Sequence, residues 1–293
     1  MKVLILGAKG QLGCDLVKTL AQDAVVAPAR ADLDICDFGQ ASRWLTEVKP
    51  DVVINTAAFH KVEECEEKPD RAFQVNAVAV GHLARACAAH HAVMVHISTD
   101  YVFDGRQCHP YREQDAPNPA NVYGVSKLAG EYLVRQGCPR HFIVRTSGLF
   151  GVAGASGKGG NFAELMIRLA REGKPIRVVA DQVLTPTYTR DLAQKIKELV
   201  RTDAYGLYHI TSSGQCSWYE FAGKIFALLR RQPDFSPTTT AAFGSSVTRP
   251  AYSVLEHGGL HRAGIPDMRT WWQALEAYLT EKGHLAGTHA KAA

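Results

Sequence analysis

The chain has 293 residues, 46% of them hydrophobic and 21% charged, and carries a formal net charge of +4. That composition excludes a mainly disordered chain, and no apolar run approaches the ~20 residues needed to span a bilayer. Lys and Arg form no dense track, so nucleic acid is not an expected partner, whereas small anionic molecules suit the charge.

Met1-Lys2-Val3-Leu4-Ile5-Leu6 is one strand long before Gly7. It lacks the longer apolar region and cleavage site of a signal peptide, so a cytoplasmic chain that does not engage a membrane is expected. The apolar run at residues 3–6 suits a parallel strand buried on both faces. It leads into Gly7-Ala8-Lys9-Gly10-Gln11-Leu12-Gly13 and then a helical stretch through Leu20. Glycines in such a turn let backbone N–H groups approach a diphosphate, and the helix N-terminus adds the positive end of its dipole. With a strand before it and a helix after it, this turn reads as a dinucleotide site.

Strand and helix then alternate: a second strand at 25–27, a helix at 38–48, a strand at 51–55, a helix at 72–89 and a strand at 93–98. A helix from Tyr123 to about Arg135 and a strand at 141–145 continue the series. Repeated βα units imply a doubly wound parallel sheet of the Rossmann type, whose ligands bind beyond the carboxyl ends of the strands. Asn55-Thr56-Ala57-Ala58 and Ser98-Thr99-Asp100 should therefore share a crevice with the glycine turn. The second strand ends in Pro28-Ala29-Arg30, without the acidic residue that bonds an adenosine ribose 2′-hydroxyl. Arg30 would instead meet a 2′-phosphate, favouring NADPH over NADH, and the nearby Asp32 and Asp34 should keep the preference small.

Tyr123 and Lys127, four positions apart, lie on one helix face. An ammonium beside a phenol stabilises the phenolate and should lower its pKa, making Tyr123 a general acid, while Ser98 or Thr99 shares the hydrogen bond to the same substrate oxygen.

After Thr146 the rhythm breaks into a glycine-rich crossing loop at 148–161. A helix at 162–172, a run at 176–180, a helix at 190–200 and a strand at 207–210 follow. A helix at 218–230, a polar stretch at 232–240, a last helix at 269–280 and a frayed tail at 283–293 complete the chain. The expected organisation is a Rossmann domain of residues 1–147 plus about 189–212, and a smaller C-terminal substrate-binding α/β domain of about 148–188 plus 213–293.

The remaining polar residues have plainer readings. The seven cysteines, scattered without CxxC pairs, read as reduced thiols. His60, His90, His91 and His96 lack metal-ligand spacing and read as surface or core histidines, so no metal site is expected. Glu63, Glu64, Glu66 and Glu67 read as a solvated helix start. Arg177, Arg190 and Arg249 could each reach a nucleotide diphosphate, Arg249 being preferred, and Trp271-Trp272 read as packing for the last helix.

Taken in order, the glycine turn, Asn55-Thr56-Ala57-Ala58, Ser98-Thr99-Asp100-Tyr101-Val102-Phe103-Asp104-Gly105 and Pro119 through Tyr123-Gly124-Val125-Ser126-Lys127-Leu128-Ala129-Gly130-Glu131 resemble an extended short-chain dehydrogenase/reductase. With Arg145-Thr146-Ser147, Asn161-Phe162, Asp181-Gln182, Pro186-Thr187 and Arg249-Pro250, the resemblance narrows to the dTDP-4-dehydrorhamnose reductase family and covers most of the chain. It implies NADPH-dependent reduction of a dTDP-linked 4-keto sugar, with NADH as an alternative cofactor. By that resemblance Gly10, Gln11 and Leu12 lie against the cofactor diphosphate, Asp37 and Phe38 near the adenine, and Ala58, Phe59 and His60 along the inner half. Thr99, Tyr123 and Lys127 are catalytic, and Thr99 and Asp100 face the sugar along with Gly148, Asn161 and Arg249. A homodimer, and Mg2+ at a subunit interface, are left open.

Two positions depart from the family pattern: Gly148 stands where Trp is usual, and Leu184 where Gly is usual. The Trp position is a substrate contact in the family, so its loss bears on the sugar pocket rather than the cofactor chemistry. The rivals on this fold are sugar-nucleotide epimerases, and 4,6-dehydratases, which carry a Glu where this chain has Tyr101; a phenol is a poor substitute for a carboxylate base. A non-catalytic alternative also resembles the chain: the NADP-binding regulatory subunit of methionine adenosyltransferase, which shares a segment like Tyr111-Arg112-Glu113.

Overall fold

The computed structural model describes residues 1–154 and 160–285. Parts of the expected crossing loop (155–159) and of the expected frayed tail (286–293) lie outside the described residues. The centre is a six-stranded, wholly parallel sheet built from β1 (Lys2–Leu6), β2 (Ala24–Val26), β3 (Val52–Asn55), β4 (Val93–Thr99), β5 (His141–Thr146) and the edge strand Gly206–His209. Their spatial order is edge strand, β5, β4, β3, β1, β2.

Continuous apolar strands become two cores because successive side chains point to opposite faces. Val3 and Ile5 of β1, Val95 of β4 and Val144 of β5 pack on one face with Leu12 and Leu16 of the helix Gln11–Thr19 and Leu192 and Ile196 of the helix Thr189–Leu199. Leu4, Leu6, Met94 and Ile143 pack on the other face with Leu45, Leu83 and Val134 of the helices Phe38–Val48, Ala79–Ala89 and Val122–Gly137. A third apolar cluster joins Phe150, Ile176, Phe221, Ile225, Trp271 and Leu275 away from the sheet. Trp271 meets its packing expectation, but Trp272 is 42% exposed.

After β1 the chain adds β2 on one side and β3 on the other, so a switch point opens between β1 and β3. Two local departures from the sequence reading have physical causes. The helix expected at 72–89 is interrupted by a π-helical turn, Gln74–Val78, whose extra residue lets the buried Asn76 side chain bond the Phe59 peptide in both directions, at 2.8 and 2.9 Å. The polar stretch at 232–240 contains a strand, Phe235–Thr238, paired parallel to Ile176–Val179. Its Pro237 is tolerated because the two-stranded sheet leaves that strand an edge. Among the described residues no helix is long and apolar enough to cross a membrane, and all seven cysteines are free thiols.

Candidate active site

A cleft of about 940 Å³ opens at the carboxyl ends of β1, β3 and β4. At one end lies the glycine turn. Gly10 is the extended residue preceding the helix Gln11–Thr19, which has neither a side-chain cap nor an acidic residue in its first turn. Its first N–H groups are therefore left for an anion. A Cβ at Gly13 would stand 2.3 Å from the Gly7 carbonyl oxygen, so only glycine lets helix and turn approach this closely. The buried Gln11 Oε1 has no partner among the described residues. An uncapped helix end and a backbone that no side chain obstructs fit a dinucleotide diphosphate, whereas the Gln11 Oε1 acceptor calls for a donor such as a hydroxyl.

The floor is made by the end of β4 and the start of the helix Val122–Gly137. Asn121 starts that helix, its side chain accepting from Gly124 N at 2.8 Å, and Glu66 accepts from Val122 N at 2.8 Å. Thr99 donates to Asp100 Oδ1 at 3.0 Å and Ser147 donates to Asp100 Oδ2 at 2.8 Å, and both Thr99 and Tyr123 line the cleft. Tyr101 packs edge-on to Tyr123 with ring centroids 5.8 Å apart. Burial pushes the Tyr123 phenol well above its ordinary pKa, opposed by the Thr99 hydrogen bond and reinforced by Asp100. The expected depression by Lys127 is therefore not the net result: a dry site disfavours the phenolate more than its surroundings favour it. The consequence suits an acid, which must hold its proton at neutral pH. Burial likewise raises the Asp100 carboxyl, against the hydrogen bonds of Ser253, Ser147 and Thr99.

Lys127 is 1% exposed and donates to the Ile97 carbonyl at 2.6 Å. Burial pushes its pKa down to about 8, and the Glu131 charge one turn along opposes that. Glu131 is in turn held by Arg145 of β5 through two bonds, at 2.9 and 2.7 Å, and by Ser98 Oγ at 2.5 Å. This buried pair was missed in the sequence. A charged Arg inside the apolar run of a two-faced parallel strand was the available signal, since a buried charge needs a partner. His96, read as a surface or core histidine, is fully buried and lies 3.3 Å from Lys127 Nζ.

Of the residues singled out for a site, Gly10, Gln11, Leu12, Gly13, Ala58, His60, Thr99, Asp100, Tyr123, Lys127, Gly148, Asn161 and Arg249 all line this one cleft. Gly7 forms the turn at φ +78° behind it. Others have local employment. Asp37 caps the helix Phe38–Val48, Phe38 stacks on His82 at 3.7 Å between centroids, and Arg30 pairs with Asp34 at 3.3 Å on the surface. The acidic run is a largely exposed helix start, as expected, yet two of its members make contacts beyond their own helix. Glu63 pairs with Arg249 across the mouth of the cleft and Glu66 accepts from Val122 N at the start of the helix Val122–Gly137, because the short helix Val62–Glu67 lies beside both.

The facing wall carries the two unusual positions. Gly148 has φ +55°, and a Cβ there would stand 2.8 Å from Leu184 Cδ1. The small residue and the large one thus occupy a single space. Asn161 caps the helix Phe162–Glu172 through Glu164 N at 3.1 Å and donates to Gly151 O and Tyr278 Oη. Among the described residues no group of three His, Cys, Asp or Glu gathers as a metal site.

A family model described as the RmlD substrate binding domain matches residues 1–283. The spore coat polysaccharide biosynthesis protein SpsK of Bacillus subtilis is 40% identical over 283 residues, covering 96% of this chain and 98% of that protein. A dTDP-4-dehydrorhamnose reductase of Streptomyces griseus is 40% identical over 281 residues, covering 93% of this chain and 91% of the relative. The crystal structure of dTDP-4-dehydrorhamnose reductase from Bacillus anthracis in complex with NADP superposes with a TM-score of 0.91 at 39% identity, covering 96% of this chain and 99% of that one.

Proposed function

This chain belongs to the dTDP-4-dehydrorhamnose reductase family of extended short-chain oxidoreductases, and from that premise we propose that it reduces the C4 keto group of a dTDP-linked 6-deoxy-4-keto sugar with NADPH. The preferred substrate in this reading is dTDP-4-dehydrorhamnose, the product dTDP-L-rhamnose. The observation that carries it is the pairing of the Tyr123 and Thr99 hydroxyl groups on the floor of the cleft that holds the uncapped glycine turn. Two hydroxyls converging on one place are what a carbonyl oxygen needs as it gains negative charge.

Gly7, Gly10, Gln11, Leu12 and Gly13 hold the cofactor diphosphate, Asp37 and Phe38 border the adenine, and Arg30 meets the 2′-phosphate. Ala58, Phe59 and His60 line the inner half, with the Phe59 peptide fixed by Asn76. The reduced nicotinamide, when bound, supplies the hydride. Tyr123 gives its phenolic proton to the C4 oxygen, Thr99 donates a second hydrogen bond to it, and Lys127 binds the ribose hydroxyls and restores the proton on Tyr123. Asp100, Gly148, Asn161 and Arg249 border the sugar nucleotide. The labour divides between residues 1–147 plus 189–212 on the cofactor side and 148–188 plus 213–293 on the sugar side.

The segment that suggested a regulatory subunit is used inside this chain. Tyr111 Oη accepts from Gly105 N and Gln107 N, and Glu113 accepts from His209 N and Gly259 N. The test is direct: the pure protein is incubated with NADPH and a panel of nucleotide-linked 4-keto sugars while nicotinamide absorbance is followed. Oxidation with the dTDP-linked 6-deoxy-4-keto sugar is expected. NADPH binding without oxidation of any panel member would overturn the reading in favour of a non-catalytic NADP-binding subunit.

A further inference from the structure

His96 carries both ring nitrogens between two nitrogen groups. Its Nε2 lies 3.3 Å from Lys127 Nζ and its Nδ1 lies 3.4 Å from Asn55 Nδ2, with His96, Lys127 and Asn55 all at 1% exposure or less. The Asn55 amide has no freedom to turn: its Oδ1 accepts from Ala57 N at 3.1 Å, which aims the NH2 at His96. An amide NH2 and an ammonium are both donors only, whereas a neutral imidazole has one donor and one acceptor. If Lys127 is an ammonium, Nε2 must accept from it, the ring proton sits on Nδ1, and two donors face each other at Asn55. If Lys127 is a neutral amine, Nε2–H donates to its lone pair, Nδ1 accepts from Asn55, and both contacts are satisfied.

We propose that His96 is a positioning residue for Lys127, and that Asn55, by dictating which ring nitrogen accepts, makes this pair favour the neutral amine. This rests on the reductase reading only for its purpose, which is to make the Lys127 proton transferable to Tyr123 near neutral pH. The other groups around Lys127 act the opposite way or are neutralised. Ile97 O accepts from the ammonium, Glu131 on the same helix attracts it but is doubly bound to Arg145 of β5, and Asp100 after β4 is buried with a raised pKa. Tyr123, one turn back, stays a phenol. The directions agree: Lys127 is pushed down to about 8 and His96 well below its ordinary value, each with burial as the leading cause. An unmet donor pair in a dry site is a large penalty, because neither group can turn to water instead.

The experiment is a pH titration of the full-length protein labelled with 13Cε-lysine, read by NMR, with the Lys127 resonance assigned by its loss in Lys127→Met. Asn55→Ala removes the dictating donor and adds no charge, so the ring is free to accept from the ammonium and the Lys127 midpoint should rise by about one pH unit, the size of an ordinary hydrogen-bond effect on a pKa. In a His96→Leu background the same Asn55→Ala change should leave the midpoint still. Asn55→Asp keeps the bond to Ala57 N and should raise the midpoint further; if His96→Leu fails to fold, Asn55→Ala against Asn55→Asp on the intact ring decides alone. A midpoint that moves with Asn55→Asp but not with Asn55→Ala means bare charge attraction and overturns the proposal, as does an equal shift with and without the His96 ring. No sugar turnover enters this readout, so it stands or falls apart from the substrate assignment. With a competent sugar nucleotide, the alkaline limb of the kcat profile should move with the NMR midpoint.

Discussion

The floor and the facing wall of the cleft are built on different principles. The floor gathers hydroxyls, the Asp100 carboxyl, a lysine and a histidine; Thr99, Asp100, His96 and Lys127 are buried and each makes two contacts with polar neighbours, while Tyr123 is half-buried at the cleft. The wall is a glycine in left-handed backbone, a leucine crossing over it and an arginine paired across the mouth. A group that must meet a developing charge tolerates little displacement, so its surroundings are over-determined. A wall that only bounds volume can be filled from either side, as Leu184 fills the space that a side chain at Gly148 would need.

Breaking the floor should have the largest effects. Tyr123→Phe keeps the ring against Tyr101 and deletes only the transferable proton, so kcat should fall ~10²–10⁴-fold with NADPH affinity little changed, measured by steady-state kinetics and cofactor fluorescence. Glu131→Gln leaves Arg145 as a charge in the core with one partner impaired, and unfolding in urea should show a loss of about 3–5 kcal/mol. An unchanged midpoint would mean the pair is solvated in solution.

Lys127 offers a prediction with the opposite sign. Its folded pKa lies below the ordinary lysine value, so between about 8 and 10.5 the unfolded chain binds more protons. Stability should therefore rise with pH through that window, and Lys127→Met should flatten the rise and raise Tm at neutral pH while impairing turnover. A Tm that falls instead would show that the ammonium is net stabilising where it sits.

The wall should yield smaller, more selective changes. Gly148→Trp alone forces a side chain into the space of Leu184 from an unfavourable backbone conformation, so both Tm and the sugar-nucleotide KM should worsen. Adding Leu184→Gly should recover part of each; strict additivity would deny that the two positions share a space. Smallest of all is Arg30→Ala, which removes an exposed residue paired only with Asp34 among its described contacts and should cost NADPH affinity a few-fold with NADH affinity unmoved. Equal affinities for the two cofactors in both proteins would remove Arg30 from the site.

The parallel sheet and the glycine turn were legible because both rest on local pattern: apolar runs the length of one strand, and glycine where backbone must approach an anion. The same holds for Thr99, Tyr123 and Lys127, whose spacing delivers them to the end of a strand and one face of a helix. What the sequence could not decide by itself is what each buried polar group meets. Residues 55, 96 and 127 lie on three different elements, and 131 and 145 on two, and pairing across elements has no short-range signature. The strand at Phe235–Thr238 escaped for the same reason, since only its partner Ile176–Val179 gives that proline-containing stretch a place to bond. Gly148 reads in sequence as a lost aromatic wall. The tertiary structure makes it half of a pair, because Leu184 arrives from a strand some thirty-odd positions away and leaves room for nothing larger than hydrogen.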